Sequence, residues 1–391
     1  MRTTDAPAAS KDGVGRSASR IYAVVTGGGT GGHVQPALAI AEALVAAGHE
    51  PGSIHFVGGR RGIEGRLVPE SGFEITTLPG RGLERRLSAR NVRSALEIAS
   101  AVMTASKLLQ SMRPRVVVTV GGYAGLPAAL GALLLRIPLV VVTYDAVPGA
   151  ANRLVARAAA ANAVAYPGTG LRRSVVTGPP VRSGVLALDR SPAGRASARA
   201  ELGIDAGRRL VVVTGGSLGA GTINAAALDW CRALNDRADL AVYHVAGDRN
   251  LEAVATAARE AHLGEEALDY RLVGFESRFP LLLAACDLVV GRAGASTVAE
   301  LSAIGVPSIL VPLPGAPSDH QTRNARTMSS VGAAVVLADA SCTGGRLGEA
   351  IASLLGDPMR LESMGEAARS LGHRDAAAKI AAIAESVARA R

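Results

Sequence analysis

The chain has 391 residues, a length suited to two domains, with 48% hydrophobic residues but only 3% aromatic ones, so its cores must be packed mainly with Ala, Val, Leu and Ile. Basic residues exceed acidic ones by 42 − 33 = 9, which favours phosphates or an anionic membrane surface as partners. Nucleic acid is disfavoured because so few aromatics are available for base stacking, and the scattered Cys231, Cys286 and Cys342 argue against a disulfide framework or a zinc site.

Residues 1–20 are polar and lack an apolar central region, so they read as a disordered tail rather than a signal peptide. No run of about 20 apolar residues is present; Leu126 to Leu135 is the most apolar stretch and is too short to span a bilayer. From Ile21 onward apolar runs alternate with helical patterns. Strands are predicted at 21–26, 53–58, 73–78, 115–119, 138–143, 162–165 and 175–177, and helices at 34–47, 62–71, 92–112, 124–135 and 150–160. Nearly continuous β-branched strands between helices indicate a parallel sheet covered on both faces.

The segment Leu188 to Arg195, broken by Pro192 and Gly194, reads as the approach to a second unit. That unit repeats the plan, with strands at 209–214, 240–245, 270–273, 287–290, 307–311 and 334–337. Helices are predicted near 222–234, 250–262, 279–285, 296–304, 319–331, 343–355, 357–370 and 374–390. Both halves open with strand, glycine turn and helix. The expected fold is therefore α/β: two doubly wound, Rossmann-like domains facing across a cleft that holds the ligands at the strand C-termini.

Five polar or glycine-rich motifs carry the chemistry. In the first, Gly27 to His33, five glycines crowd a strand-to-helix turn. Its free N–H groups and helix dipole suit a diphosphate, and His33 could face whatever the turn holds. The spacing Gly27-x-Gly29-x-x-Gly32 also satisfies the dinucleotide fingerprint, but any run this rich in glycine does so. The second strand ends in Gly58-Gly59-Arg60-Arg61 with no carboxylate for a ribose, which speaks against NAD. The second motif is Gly121-Gly122-Tyr123-Ala124-Gly125, either a ligand turn or an ordinary strand-to-helix turn. The third is Gly215-Gly216-Ser217-Leu218-Gly219, whose N–H groups and Ser217 hydroxyl could hold a phosphate.

In the fourth, Gly291 to Glu300, Thr297-x-x-Glu300 has capping-box spacing, yet Arg292 and Gly294 before a helix start also suit an anion. Glu300 one turn into the helix could bind a ribose diol through both oxygens. The fifth, Ser318 to Asn324, is either a polar site or a solvated turn capped by Ser318 or Asp319. Separately, the arginines of 81–93, with Arg85, Arg86 and Arg90 among them, suit an anionic lipid surface or are merely solvated.

Taken in order, GGGTGGHVQPALAIAEAL, VGGYAGLPAAL, TGPPVR, TGGSLGAGTIN, GRAGASTVAEL and DHQTRNA resemble the MurG glycosyltransferases of bacterial peptidoglycan synthesis, from about Tyr22 to about residue 370. The resemblance implies a GT-B fold with no bound metal or other cofactor. It implies a first domain, 21–182, for the lipid acceptor and the membrane, a second, 183–370, for the nucleotide sugar, and a final helix, 371–391, that could pack back on the first. UDP-GlcNAc contacts are implied at Thr30, Gly31, Gly32, Arg182, Ser217 and Glu276. Further contacts fall on Ala295, Ser296, Thr297, Val298, Ala299 and Glu300, with Glu300 on the ribose, and on Gln321, beside His320, at the sugar. Gly121, Gly122 and Tyr123 lie on the acceptor side.

The implied reaction is inverting transfer of GlcNAc from UDP-GlcNAc to the C4 hydroxyl of MurNAc in lipid I, giving lipid II at the cytoplasmic face of the cell membrane. His33 is the candidate base, since a neutral imidazole titrates near working pH. One departure stands out. Family members usually carry His-Glu-x-Asn after the strand ending at residue 141, where this chain reads Val142-Thr143-Tyr144-Asp145. Asp145 replaces the asparagine between donor and acceptor and could share the base role, and the change puts acceptor contacts in question. The competing expectations are a glycosyltransferase with another acceptor, a UDP-GlcNAc epimerase of the same fold, and a noncatalytic nucleotide-sugar sensor.

Overall fold

The structure is a computed structural model. It describes residues 20–28, 31–60, 62–78, 89–216 and 219–390, with the backbone alone for residues 31 and 89–96. The first unit runs β1 (Ala23–Thr26), α1 (Gly31–Ala46), β2 (Ile54–Gly59), α2 (Glu64–Glu70), β3 (Glu74–Leu78), α3 (Ala89–Met112), β4 (Val116–Thr119) and α4 (Leu126–Leu134). It continues with β5 (Leu139–Thr143), α5 (Ala150–Ala156), β6 (Ala161–Val164) and β7 (Ser174–Val176), after which the short α6 (Ser183–Leu186) leads into the second unit, whose core Val185 joins.

The second unit comprises α7 (Pro192–Leu202), β8 (Arg209–Thr214), α8 (Gly221–Arg232), β9 (Leu240–Val245), α9 (Leu251–Glu260), β10 (Asp269–Val273), α10 (Phe279–Ala285) and β11 (Leu288–Gly291). It ends with α11 (Ala295–Ile304), β12 (Ser308–Leu310), α12 (His320–Ser329), β13 (Ala334–Val336), α13 (Gly344–Leu355) and α14 (Pro358–Ser370), and α15 (Ala376–Arg389) closes the chain.

Both sheets are parallel throughout, as the unbroken apolar strands predict. Their orders are β3-β2-β1-β4-β5-β6-β7 and β10-β9-β8-β11-β12-β13. Alternate residues of one strand serve opposite faces: Val25 and Val118 pack under α1, while Val24 and Val117 pack under α3 and α4. Two covered faces leave no room for polar alternation, which is why these strands read as continuous runs of valine.

Strand order reverses between β1 and β4 in the first sheet and between β8 and β11 in the second. In a doubly wound fold a crevice opens at that point, beyond the strand C-termini. Thr26 pairs in register with Thr119, and Thr214 with Gly291. The chain beyond these four residues is the first, second, third and fourth glycine motif, so each sheet brings two of them side by side.

One feature departs from the sequence expectation. Pro192 begins α7 rather than interrupting a connector, because a missing N–H costs nothing in the first turn, and the Ser191 hydroxyl caps the helix by accepting from Gly194 N–H at 3.1 Å. The final helix, α15, lies on the first unit. Ile380, Ala381, Ala384 and Ala388 join the core beneath α1, and His49 pairs with Glu385 at 3.0 Å.

Candidate active site

The units meet through α1, α6 and α11, and Ala295 of the second unit is buried in the core of the first. His33, in the first turn of α1, is partly exposed and stands edge-on to the Tyr144 ring, with centroids 5.9 Å apart. Gly122 of the second motif lies against it. A Cβ there would fall 3.2 Å from His33 Cδ2 and 3.3 Å from Nε2, and Gly122 has a φ of +74°, so both space and conformation require glycine. Gly121, with φ of +89°, clears the carboxamide of Asn152, which donates to Val142 O and Thr143 Oγ1 at 3.0 Å each. Tyr123 is 51% exposed.

Burial holds the His33 imidazole below its ordinary value; the negative charges of Asp145 and Glu64 oppose this, and His320 adds to it. That shift favours the unprotonated ring, the form a general base needs. Asp145 sits at the seam between the units. Asn324 of α12, fully buried, donates to Asp145 Oδ1 at 3.4 Å and to Ala293 O at 3.2 Å, and accepts from Ala146 N–H at 3.2 Å. Val142, Thr143 and Tyr144 are buried at and just after the end of β5, so three of the four positions 142–145 are interior.

On the opposite wall, α11 begins at Ala295 with Gly294 as its N-cap and no side-chain cap. Thr297 is therefore inside the helix and the capping-box alternative fails. Within this segment Ala295, Val298 and Ala299 are buried, leaving the side chains of Ser296, Thr297 and Glu300 partly accessible. Burial pushes the Glu300 carboxyl up to about 7, tempered by the charge of Arg182. Arg182 itself is held by Glu42 of α1, with Nε and Nη2 reaching Oε1 at 2.8 and 2.7 Å, while Ser183 N–H and Oγ donate to Oε2. Arg182 thus links α1 to the neighbourhood of Glu300.

Other expected residues prove to be structurally engaged. Arg292 donates to Val311 O, Pro312 O and Asp339, so its guanidinium braces a loop instead of serving an anion at the helix start. Gln321 Oε1 accepts from Leu313 N–H at 3.0 Å and His320 Nδ1 lies 2.8 Å from Pro317 O, both fixing the segment before α12. Asp319 precedes α12 without a side-chain cap bond, and it and Ser318 have φ of 50° and 53°, a strained pair beside the cleft. Glu276 accepts from Tyr243 O–H and Arg278 N–H. Burial would raise its carboxyl, but these bonds draw it lower.

Thr30, Ser217, Arg85 and Arg86 lie outside the described residues, as does the side chain of Arg90. Gly31 and Gly32 open α1. Sequence reasoning passed over Glu42, Glu64 and Asn324. Asn324 stood within a quoted motif, but nothing in the pattern said that it would cross to the other unit. Among the described residues no group of three His, Cys, Asp or Glu side chains could hold a metal ion.

The glycosyltransferase family 28 N-terminal domain matches residues 23–164, and the family 28 C-terminal domain matches residues 210–380. A UDP-N-acetylglucosamine–N-acetylmuramyl-(pentapeptide) pyrophosphoryl-undecaprenol N-acetylglucosamine transferase of Clavibacter michiganensis subsp. michiganensis is 40% identical over 370 residues, covering 94% of this chain and 97% of its own. The chain belongs to the MurG family of glycosyltransferases. Among solved structures, the MurG of Acinetobacter baumannii is 26% identical, with a TM-score of 0.71 over 94% of this chain and 99% of its own. The family's GT-B architecture is thus the architecture seen here. A UDP-GlcNAc 2-epimerase from Neisseria meningitidis, 13% identical with a TM-score of 0.64 over 94% of this chain and all of its own, shares the fold alone.

Proposed function

We propose that this protein transfers GlcNAc from UDP-GlcNAc to the C4 hydroxyl of the N-acetylmuramyl unit of pyrophosphoryl-undecaprenol-linked MurNAc-pentapeptide, lipid I, forming lipid II. One observation supports the mechanism: His33 stands in the first turn of α1 at the first switch point, and α1 packs against α11, the helix that bears Glu300. The acceptor hydroxyl attacks the anomeric carbon in line, its proton passes to His33, and the bond to UDP breaks with the electron pair leaving on the diphosphate. Inversion follows from the single displacement. Glycine-turn N–H groups and helix N-termini in both units stabilise the departing charge.

In this reading the first unit, 21–182, takes the acceptor, with Gly121, Gly122 and Tyr123 on its path, and the second, 183–370, takes the donor. Arg182, Glu276, Ser217, the segment 295–300 and Gln321 frame UDP-GlcNAc, with Thr30, Gly31 and Gly32 reaching it from the first unit. Asp145 orients His33 or shares its proton. The measurement is transfer of radiolabelled GlcNAc to a synthetic lipid I analogue, beside a diacylglycerol control. Product with the analogue alone supports the reading, and product with diacylglycerol alone overturns its acceptor. Incubation with UDP-GlcNAc and no acceptor tests epimerisation. His33→Ala is expected to lower kcat by about 10²–10⁴-fold; near-normal turnover would remove His33 from the base role.

No described helix is long and apolar enough to cross a membrane. We infer a peripheral association with the cytoplasmic face of the membrane, through the arginines of 81–93. Replacing Arg85, Arg86 and Arg90 with Glu is expected to weaken binding to anionic vesicles with UDP-GlcNAc binding intact. Equal vesicle binding would argue against the patch.

A further inference from the structure

Gly28, Gly58 and Gly62 are not glycines for the sake of the backbone, since none has a φ in the left-handed region. All three clear space for one side chain. A methyl group at Gly28 or Gly62 would overlap the carboxylate of Glu64, and one at Gly58 would lie 2.7 Å from its Cγ. Glu64, the first residue of α2, is 1% exposed, and its Oε1 accepts the Gly59 N–H at 2.9 Å. A glutamate at a helix start can point into water at no cost, whereas burying a carboxylate is expensive unless it is well bonded. Gly28 after β1, and Gly58 and Gly62 around the end of β2, together leave the room that this group occupies.

Gly28 lies between this carboxylate and the candidate base. Its carbonyl oxygen lies against Gly122, 3.0 Å from where a Cβ would stand, and Gly122 is in contact with the His33 ring. The charged and titratable groups facing His33 are Asp145 from the β5–α5 connection, Glu64 from α2, His320 from α12 and the Tyr144 ring. Gly28 thus meets Glu64 on one side and Gly122, the neighbour of His33, on the other.

We propose that Glu64 is a positioning residue for the transfer reaction: its carboxylate, walled by Gly28, Gly58 and Gly62, holds Gly28 in place and sets a negative charge near His33. As His33 takes the acceptor proton, that charge favours the forming imidazolium, making the half-buried ring a better base than burial alone would leave it. The kinetic part rests on the proposed role of His33; the geometric part does not.

The test compares wild type with the near-isosteric Glu64→Gln. The His33 ring is followed by NMR titration, its signal assigned by disappearance in His33→Asn. The midpoint is expected to move to lower pH by about half a unit or more, because a negative charge has been removed. The acid limb of kcat/KM is expected to move the same way, with kcat reduced about tenfold and KM for UDP-GlcNAc within about twofold. A lost kcat with an unmoved titration would make Glu64 mere filling and overturn the proposal, as would a wild-type profile in both measurements. A packing arm needs no activity: Gly62→Ala is expected to lower Tm in the wild-type background and to be tolerated alongside Glu64→Ala. Additive losses in that cycle would overturn the carboxylate's hold on the turn. If wild type transfers nothing to the lipid I analogue, the functional reading fails, while the titration and the cycle still judge Glu64.

Discussion

Glu300, proposed above to hold the donor, would then meet two requirements that pull in opposite directions. Its carboxyl is raised from 4.5 to about 7 because burial penalises the charge. The folded state therefore binds more protons than the unfolded one between those values, so this group's contribution to stability is fully present below about 4.5 and lost as pH rises through about 7. Binding a ribose diol through both oxygens needs the opposite, ionised form. The KM for UDP-GlcNAc is thus expected to rise as pH falls from 8 to 6. Glu300→Gln should abolish that dependence and raise KM roughly 10–100-fold, the worth of charge-assisted hydrogen bonds. The same variant should unfold at a higher temperature than wild type at pH 8, and the two should converge at pH 5. A KM equally pH-dependent in both proteins would remove Glu300 from the donor site.

At the scale of elements, the second unit is held at its strand starts by a buried charge cluster remote from the cleft. Asp287, just before β11, is 4% exposed and accepts from Arg199 Nη2 and Leu210 N–H at 2.7 Å each, with Arg195 also bonded to it. Arg199 is 8% exposed and ties α7 to the sheet through Ala285 O, Ala206 O and Arg208 O as well. Removing one partner of such a set strands the other charge, so Asp287→Ala is expected to cost about 3–5 kcal/mol in urea unfolding. A loss under about 1 kcal/mol would mean that water reaches Arg199 freely. The helix involved, α7, was invisible to a reading that took Pro192 and Gly194 as breakers. Ser191-Pro192 is in fact a helix-start signature, and the error lay in weighing proline without its position.

At the scale of the whole molecule, the chain visits the first unit twice. Ile380 of α15 is fully buried against the first unit although it follows the second in sequence. Ile380→Ala is expected to destabilise the first unit by about 2–5 kcal/mol, seen as faster hydrogen exchange in β1, β4 and β5 with β8 and β11 unaffected. Faster exchange in the second sheet alone would assign α15 to the wrong partner. Asn324 works across the same seam, joining α12 to Asp145 and Ala146. Together with the Glu42–Arg182 pair, it couples cleft geometry to groups on both sides.

The sequence alone determined the two parallel-sheet units, their strands to within one or two residues, and the glycine motifs that open each crevice. Those features are local: strand periodicity, glycine turns and helix starts are written in neighbouring residues. Tertiary structure decided what each polar group faces. Thr297 and Glu300 have the spacing of a capping box, but the helix begins two residues before Thr297. Arg292 has the place of an anion ligand, but its guanidinium braces residues 311, 312 and 339. Gly28 reads as a ligand-turn glycine until the carboxylate of Glu64, from beyond β2, is found against it. Hydrogen bonds and steric contacts between segments tens or hundreds of residues apart leave no periodic trace in the chain, so only the folded arrangement could show which side chains meet.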